Sequence, residues 1–100
     1  MIGKKERESL SEVYQALSDQ NRLRIIELLK TTPHPLCVNA IAQRIGVSQS
    51  AASQHLKILR QQGLVDVKKE GYFKHYSFDI KNLEMIRRLR ETVLGPDFTI

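Results

Sequence analysis

A chain of 100 residues and 11.5 kDa has room for one domain, in which surface scaling allows roughly 65% of the area to be buried. Sixteen Lys and Arg against eleven Asp and Glu give a net charge of +5, which points to a polyanionic partner such as nucleic acid or an anionic membrane surface. A single cysteine excludes an internal disulfide framework. No apolar run approaches the ~18–20 residues that cross a bilayer, and the charged start Lys4-Lys5-Glu6-Arg7-Glu8 lacks the apolar stretch of a signal peptide. The expectation is a soluble, cytoplasmic protein with no membrane partner. Its composition, 41% hydrophobic and 27% charged, argues against wholesale disorder.

Residues 1–8 are polar and read as a flexible N-terminus. From Ser9 onward, Leu10, Val13, Tyr14 and Leu17 fall at i, i+3, i+4 and i+7, one face of a helix. Asp19 suits the N-cap of a second helix carrying Leu23, Ile25, Ile26, Leu28 and Leu29, which Pro33 and Pro35 end. Ala40, Ile41 and Ile45 mark a short third helix stopped at Gly46. Ser48 caps a fourth helix that runs to about Gln62, with Ala52, Leu56 and Leu59 inward and Gly63 just past its end.

The period then changes to two. Leu64–Lys68 and Phe73–Phe78 alternate around Glu70-Gly71, as in a β-hairpin whose turn needs positive φ at Gly71. A last helix covers about Asn82–Leu94, with Leu83, Ile86, Leu89 and Val93 on one stripe, and Gly95-Pro96 stops it. Residues 9–95 thus form the domain and 96–100 a tail. The expected fold is mainly α with a β-hairpin, in the order α-α-α-α-β-β-α: a helix-turn-helix followed by a wing.

The outward positions of the fourth helix are Ser50, Ser53, Gln54 and Lys57, with Gln49 at its N-terminus. Short hydroxyls let a helix approach a DNA groove closely, Gln can pair bidentately with adenine, and Lys reaches phosphate or guanine. The helix N-terminus itself favours an anion. Residues 28–65 contain no Asp or Glu, yet hold Lys30, Arg44, Lys57 and Arg60. The hairpin adds Lys68, Lys69 and Lys74 against Asp66 and Glu70. The candidate DNA-binding residues are therefore Gln49, Ser50, Ser53, Gln54, Lys57, Lys68, Lys69 and Lys74, with double-stranded operator DNA as partner. A solvated polar helix face with ordinary surface lysines is the alternative. His55 lies between the core stripe and this face, where helix packing and a phosphate contact both fit.

Three motifs in order resemble the ArsR/SmtB family of bacterial and archaeal repressors over roughly residues 10–90. Leu17-Ser18-Asp19-Gln20-Asn21-Arg22-Leu23-Arg24-Ile25-Ile26-Glu27-Leu28-Leu29 is similar to its second helix. Ser48–Arg60 is similar to its recognition helix, and Gly63-Leu64-Val65 with Lys69-Glu70-Gly71 and Tyr76 to its wing. The resemblance implies a winged-helix homodimer that binds operator DNA and represses transcription, with DNA contacts at Gln49, Ser50, Ser53 and Gln54. Tyr72 stands where that family often has a wing Arg or Lys.

Dimerisation also follows from the stripes. The first and last helices each have one, and the domain has few layers to cover both. The candidate interface joins Leu10, Val13, Tyr14 and Leu17 to Leu83, Ile86, Leu89 and Val93.

The metal sites that the resemblance would imply are altered. Leu36-Cys37-Val38-Asn39 keeps the first of two cysteines and has Asn39 in place of the second. Asp79-Ile80-Lys81 has a lysine where a ligand would stand, and the last helix has no His. No metal or cofactor is therefore expected and the inducer is unknown, although Cys37, alone or with His34, leaves a metal- or thiol-responsive repressor as an alternative. A winged-helix protein-interaction module is a further alternative. Catalysis is not expected, because no nucleophile–base set or phosphate loop can be assigned.

Overall fold

Side-chain caps fix where three of the helices begin. In the computed structural model, which describes residues 3–97, the elements are α1 (Lys4–Ala16), α2 (Gln20–Thr31), β1 (Leu36–Cys37), α3 (Val38–Ile45), α4 (Gln49–Gln61), β2 (Val65–Glu70), β3 (Phe73–Phe78) and α5 (Ile80–Leu94). The Asp19 carboxylate accepts from the Arg22 amide at 3.0 Å at the start of α2. Ser48 Oγ accepts from the Ala51 amide at 3.0 Å at the start of α4. Asp79 accepts from the Asn82 amide at 3.1 Å at the start of α5. Each satisfies an amide that the helix itself leaves unbonded.

The expected winged helix-turn-helix is present, with three differences. First, α1 begins at Lys4 rather than near Ser9. Charged residues are good helix formers, and Lys4 pairs with Glu8 one turn on at 3.7 Å. Residues 4–8 of the segment expected to be flexible are helical; residues 1–2 lie outside the described residues, as do residues 98–100 of the expected tail. Second, α5 starts two residues earlier than expected, on the Asp79 cap. Third, there is an added strand, β1. It pairs antiparallel with β3, giving a three-stranded sheet in the order β1-β3-β2.

The core is built where α2, α3 and α4 meet the sheet. Ile25, Ile41, Leu56 and Leu59 are wholly buried, joined by Leu36, Val65 and Tyr76. α3 and α4 are linked through Gly46 in the left-handed conformation, φ +73°. The amides of Gly46 and Val47 close onto the Ala42 carbonyl at 2.9 and 3.0 Å. Such a turn suits glycine, because a side chain is disfavoured at positive φ.

α4 ends on a second left-handed glycine, Gly63, φ +70°. Asn82 of α5 closes that end, donating from Nδ2 to the Gly63 carbonyl at 2.8 Å and to the Gln62 carbonyl at 3.4 Å. α5 packs on α1. None of its 15 residues is buried in the single chain.

Candidate nucleic-acid interface

α4 divides cleanly into two faces. Ala52, Leu56 and Leu59 sit at 0% exposure against the core. Gln49, Ser50, Ser53, Gln54 and Lys57 are all exposed on the opposite side. The core thus anchors the helix by one stripe and presents a continuous surface of amide, hydroxyl and ammonium groups.

His55 lies on the flank and is half-buried. Its Nδ1 is 3.4 Å from Arg22 Nη1. Guanidinium can only donate, so a hydrogen bond here has Nδ1 as its acceptor. This contact ties the flank of α4 to α2.

The wing is set by its register. Val65, Val67 and Lys69 face Phe78, Tyr76 and Lys74 across the β2–β3 ladder. Lys69 and Lys74 are therefore directly opposite on one face of the sheet, a like-charge pair that is unfavourable unless a counter-charge arrives. Lys68 pairs with His75 on the other face. The three wing lysines thus do not form one surface: Lys69 and Lys74 share the face of Val67 and Tyr76, and Lys68 points away. Strict alternation along a strand already requires this of neighbours 68 and 69.

Recognition helix and wing meet in a cleft of about 360 Å³ lined by Gln49, Ser53, Tyr72, Phe73 and Lys74, with Cys37 at its edge. Four ion pairs lie on α1 or α5: Lys4–Glu8, Arg87–Glu84, Arg87–Glu91 and Arg88–Glu84. Among the described residues none of Arg44, Lys57, Arg60, Lys68, Lys69 and Lys74 has a carboxylate within ion-pairing distance. Among the described residues these cations of α3, α4 and the wing thus carry no paired carboxylate.

Two carboxylates have a shifted pKa. Donation from the Arg22 amide holds Asp19 below the ordinary carboxylate range, and the Arg87 hydrogen bond does the same for Glu84. Arg87 is raised in turn, first by that hydrogen bond with Glu84.

Cys37 is half-buried on β1 and stands directly opposite His75 of β3. This juxtaposition depends on β1, so nothing local in the sequence signalled it. His34 is exposed, with Nδ1 3.2 Å from the Pro35 carbonyl oxygen.

α1 and α5 frame an apolar groove of about 600 Å³. Leu10 and Val13 are each 4% exposed, already covered within the single chain. Tyr14, Leu17, Ile86, Leu89 and Val93 are half-buried, and Leu83 is 43% exposed. Tyr14 Oη and Arg90 Nε are buried without a hydrogen-bond partner among the described residues, and both side chains line this groove.

Comparison with known proteins gives a consistent result. The family described as bacterial regulatory protein, arsR family, matches residues 19–67. A cadmium resistance transcriptional regulatory protein CadC of Listeria innocua is 37% identical over 90 residues, covering 90% of this chain and 71% of that protein. A transcriptional repressor SmtB homolog of Synechocystis is 39% identical over 70 residues, covering 70% of this chain and 52% of that protein. NolR from Sinorhizobium fredii superposes with a TM-score of 0.71 at 28% identity, covering 95% of this chain and 96% of that one. A homodimeric winged helix-turn-helix DNA-binding domain from Mycobacterium bovis superposes with a TM-score of 0.72 at 26% identity, covering 99% and 94%.

Proposed function

This chain belongs to the arsR family of bacterial regulatory proteins, and we propose that it works as a homodimer that reads operator DNA through the outer face of α4 and through the wing. The DNA-binding transcriptional repressor function is that of the family. The assignment of residues is our reading. Gln49, Ser50, Ser53 and Gln54 contact base edges in the major groove. Lys57, Lys69 and Lys74 neutralise phosphates, and Lys68 adds long-range charge from the far face of the wing.

The observation that carries this reading is the separation of charges. Among the described residues, ion pairs lie on α1 and α5, and the cations of α4 and the wing have no acidic partner. The dimer reading rests on α5. A 15-residue helix without one buried residue needs a further surface to cover its stripe. The chain exposes 7083 Å², against about 5,800 Å² for a folded chain of this mass. That excess is larger than the roughly 800 Å² each partner contributes to a standard interface. A second copy would also bring hydrogen-bond partners to Tyr14 Oη and Arg90 Nε. Two copies related by a two-fold axis would address half-sites ~34 Å apart, or a multiple of it.

We further propose that the chain lacks the family's usual metal sites, with Asn39 and Lys81 standing at ligand positions. A thiol- or metal-responsive repressor is the second reading. It is favoured by Cys37 standing opposite His75, whose Nδ1 is buried and unpartnered among the described residues.

One experiment tests the DNA reading and the metal reading together. A site is selected from random duplex DNA with the full chain, and binding is measured by fluorescence anisotropy against salt, with and without Zn²⁺, Cd²⁺ and arsenite. Six phosphates neutralised per dimer give a log–log salt slope of about −5. No selected site would sink the DNA reading. Release by metal that disappears in Cys37→Ser would replace the metal-free reading with the second one.

A further inference from the structure

We propose that the wing tip is an apolar wedge, in which Tyr72 and Phe73 press into the minor groove beside the base pairs read by α4 and select sites whose base steps unstack readily. This rests on the DNA reading above.

Tyr72 is 98% exposed and Phe73 65% exposed. These are neighbouring aromatic rings at the end of an arm, the first almost bare and the second about two-thirds exposed. The hairpin closes on the pair Glu70 and Phe73, which leaves Gly71 and Tyr72 as a two-residue loop. Gly71 has φ +62°, and no other residue of the loop has positive φ. A two-residue loop with positive φ only at its first position is the type II′ pattern, a tight turn that matches strand twist. Tyr72 is therefore held at the apex by a stiff connection rather than by a floppy loop. β1 ends at Cys37, opposite His75, so Phe73 and Lys74 have a strand neighbour only in β2. The tip thus projects beyond the three-stranded part of the sheet.

Among the described residues, Glu70 is the one carboxylate at the tip, opposite Phe73, and two lysines stand behind it. Lys69 and Lys74 face each other just behind the tip, where phosphates flanking a groove would sit. The cleft that Tyr72 and Phe73 line is shared with Gln49 and Ser53 of α4, so the tip is continuous with the base-reading face. An apolar ring inserted at a base step partly unstacks it, and a Tyr hydroxyl can donate to the purine N3 and pyrimidine O2 acceptors of the minor groove. A cationic wing would be drawn to the narrow, strongly negative groove of an A-tract. An aromatic wing instead favours flexible pyrimidine–purine steps such as TA and CA.

The test uses duplexes selected by the wild-type chain, carrying 2-aminopurine at successive positions flanking the half-site. Wild-type protein is expected to raise 2-aminopurine fluorescence at one step on each side. The double variant Tyr72→Ala/Phe73→Ala should lose that rise and bind about tenfold to a hundredfold more weakly, the range for loss of a base–aromatic contact. Its salt slope should be unchanged, since no cation is removed. Tyr72→Arg should move the selected flank from TA or CA steps toward A-tracts. Both positions are exposed, so an unaltered thermal melt confirms that the variants fold. A double variant that selects the same flank, with the same affinity and the same fluorescence, overturns the wedge and leaves the α4 reading intact. A wild-type chain that selects no site overturns both.

Discussion

Arg22 ties the recognition helix to the end of the first helix. Its Nη1 reaches His55 Nδ1 on α4 at 3.4 Å, while its Nε donates to the Ala16 carbonyl at 2.7 Å and its Nη2 to the Gln15 carbonyl at 3.3 Å. One planar side chain thus satisfies two carbonyls at the C-terminus of α1 and fixes the imidazole beside the DNA face. A lysine cannot span three acceptors with a fixed fork. Arg22→Gln is expected to cost about 2 kcal/mol and to lower Tm by roughly 10 °C at fixed protein concentration. Arg22→Lys should recover only part of this in the same melt.

Base contacts and phosphate contacts should separate by variant. Gln54→Ala should relax preference at one base pair per half-site, worth about 1–3 kcal/mol of discrimination, with the salt slope unchanged. Lys69→Ala should weaken binding to every sequence and reduce the salt slope by about 2 per dimer, one for each copy. Titrations of a selected site and a scrambled one at four salt concentrations distinguish the two patterns.

The groove between α1 and α5 makes its own prediction. Leu83→Asp places a charge on a side chain 43% exposed in the single chain, so the fold should survive while the dimer should not. Sedimentation equilibrium is expected to give half the wild-type mass, and DNA affinity should fall by orders of magnitude. A Leu83→Asp chain that sediments as a dimer would place the interface elsewhere.

Gly63 and Asn82 should behave as one unit. Alanine at Gly63 would hold a side chain at φ +70°, and its Cβ would run into the Asn82 amide. Gly63→Ala should destabilise by at least about 1–2 kcal/mol. Asn82→Ala should remove the clash together with the hydrogen bond, so the double variant should be less damaged than the sum of the single ones.

Acid stability should report the Asp19 cap. Donation from the Arg22 amide lowers the folded pKa beneath its unfolded value near 3.9. The carboxylate form is therefore favoured by folding. Its contribution is complete above the unfolded value and disappears as pH falls through the folded one. Asp19→Asn keeps a capping acceptor without titrating, so its melting temperature should depend less steeply on pH below about 4 than that of the wild type.

Much of this was legible in the residues because it is local. Asp19 and Ser48 announce helix starts, Gly46 and Gly63 announce helix ends, and a period of 3.6 separates Ser53 and Gln54 from Ala52 and Leu56. Strand β1 was not legible. Two residues, Leu36 and Cys37, have no periodicity, and their pairing partners Tyr76 and His75 lie far along the chain. The Arg22 clasp is likewise a tertiary contact. A stripe on α1 reveals that Leu10 and Val13 are covered, but not by which partner, and in the single chain α5 already does so. Lys68, by contrast, could have been placed on the outer face from strand alternation alone.

The Asn82 link has a mechanical consequence. The residues that hold α5 to the C-terminal end of α4 belong to the helix whose outer stripe would meet the second copy. Rotation of one α5 against the other would then be geared to both recognition helices at once. A degree or two at the symmetry axis becomes a change in the span between the reading heads, and hence in the number of base pairs the protein can straddle. An effector would not have to touch DNA-binding residues to unseat the repressor; altering the pitch at which two helices cross would be enough.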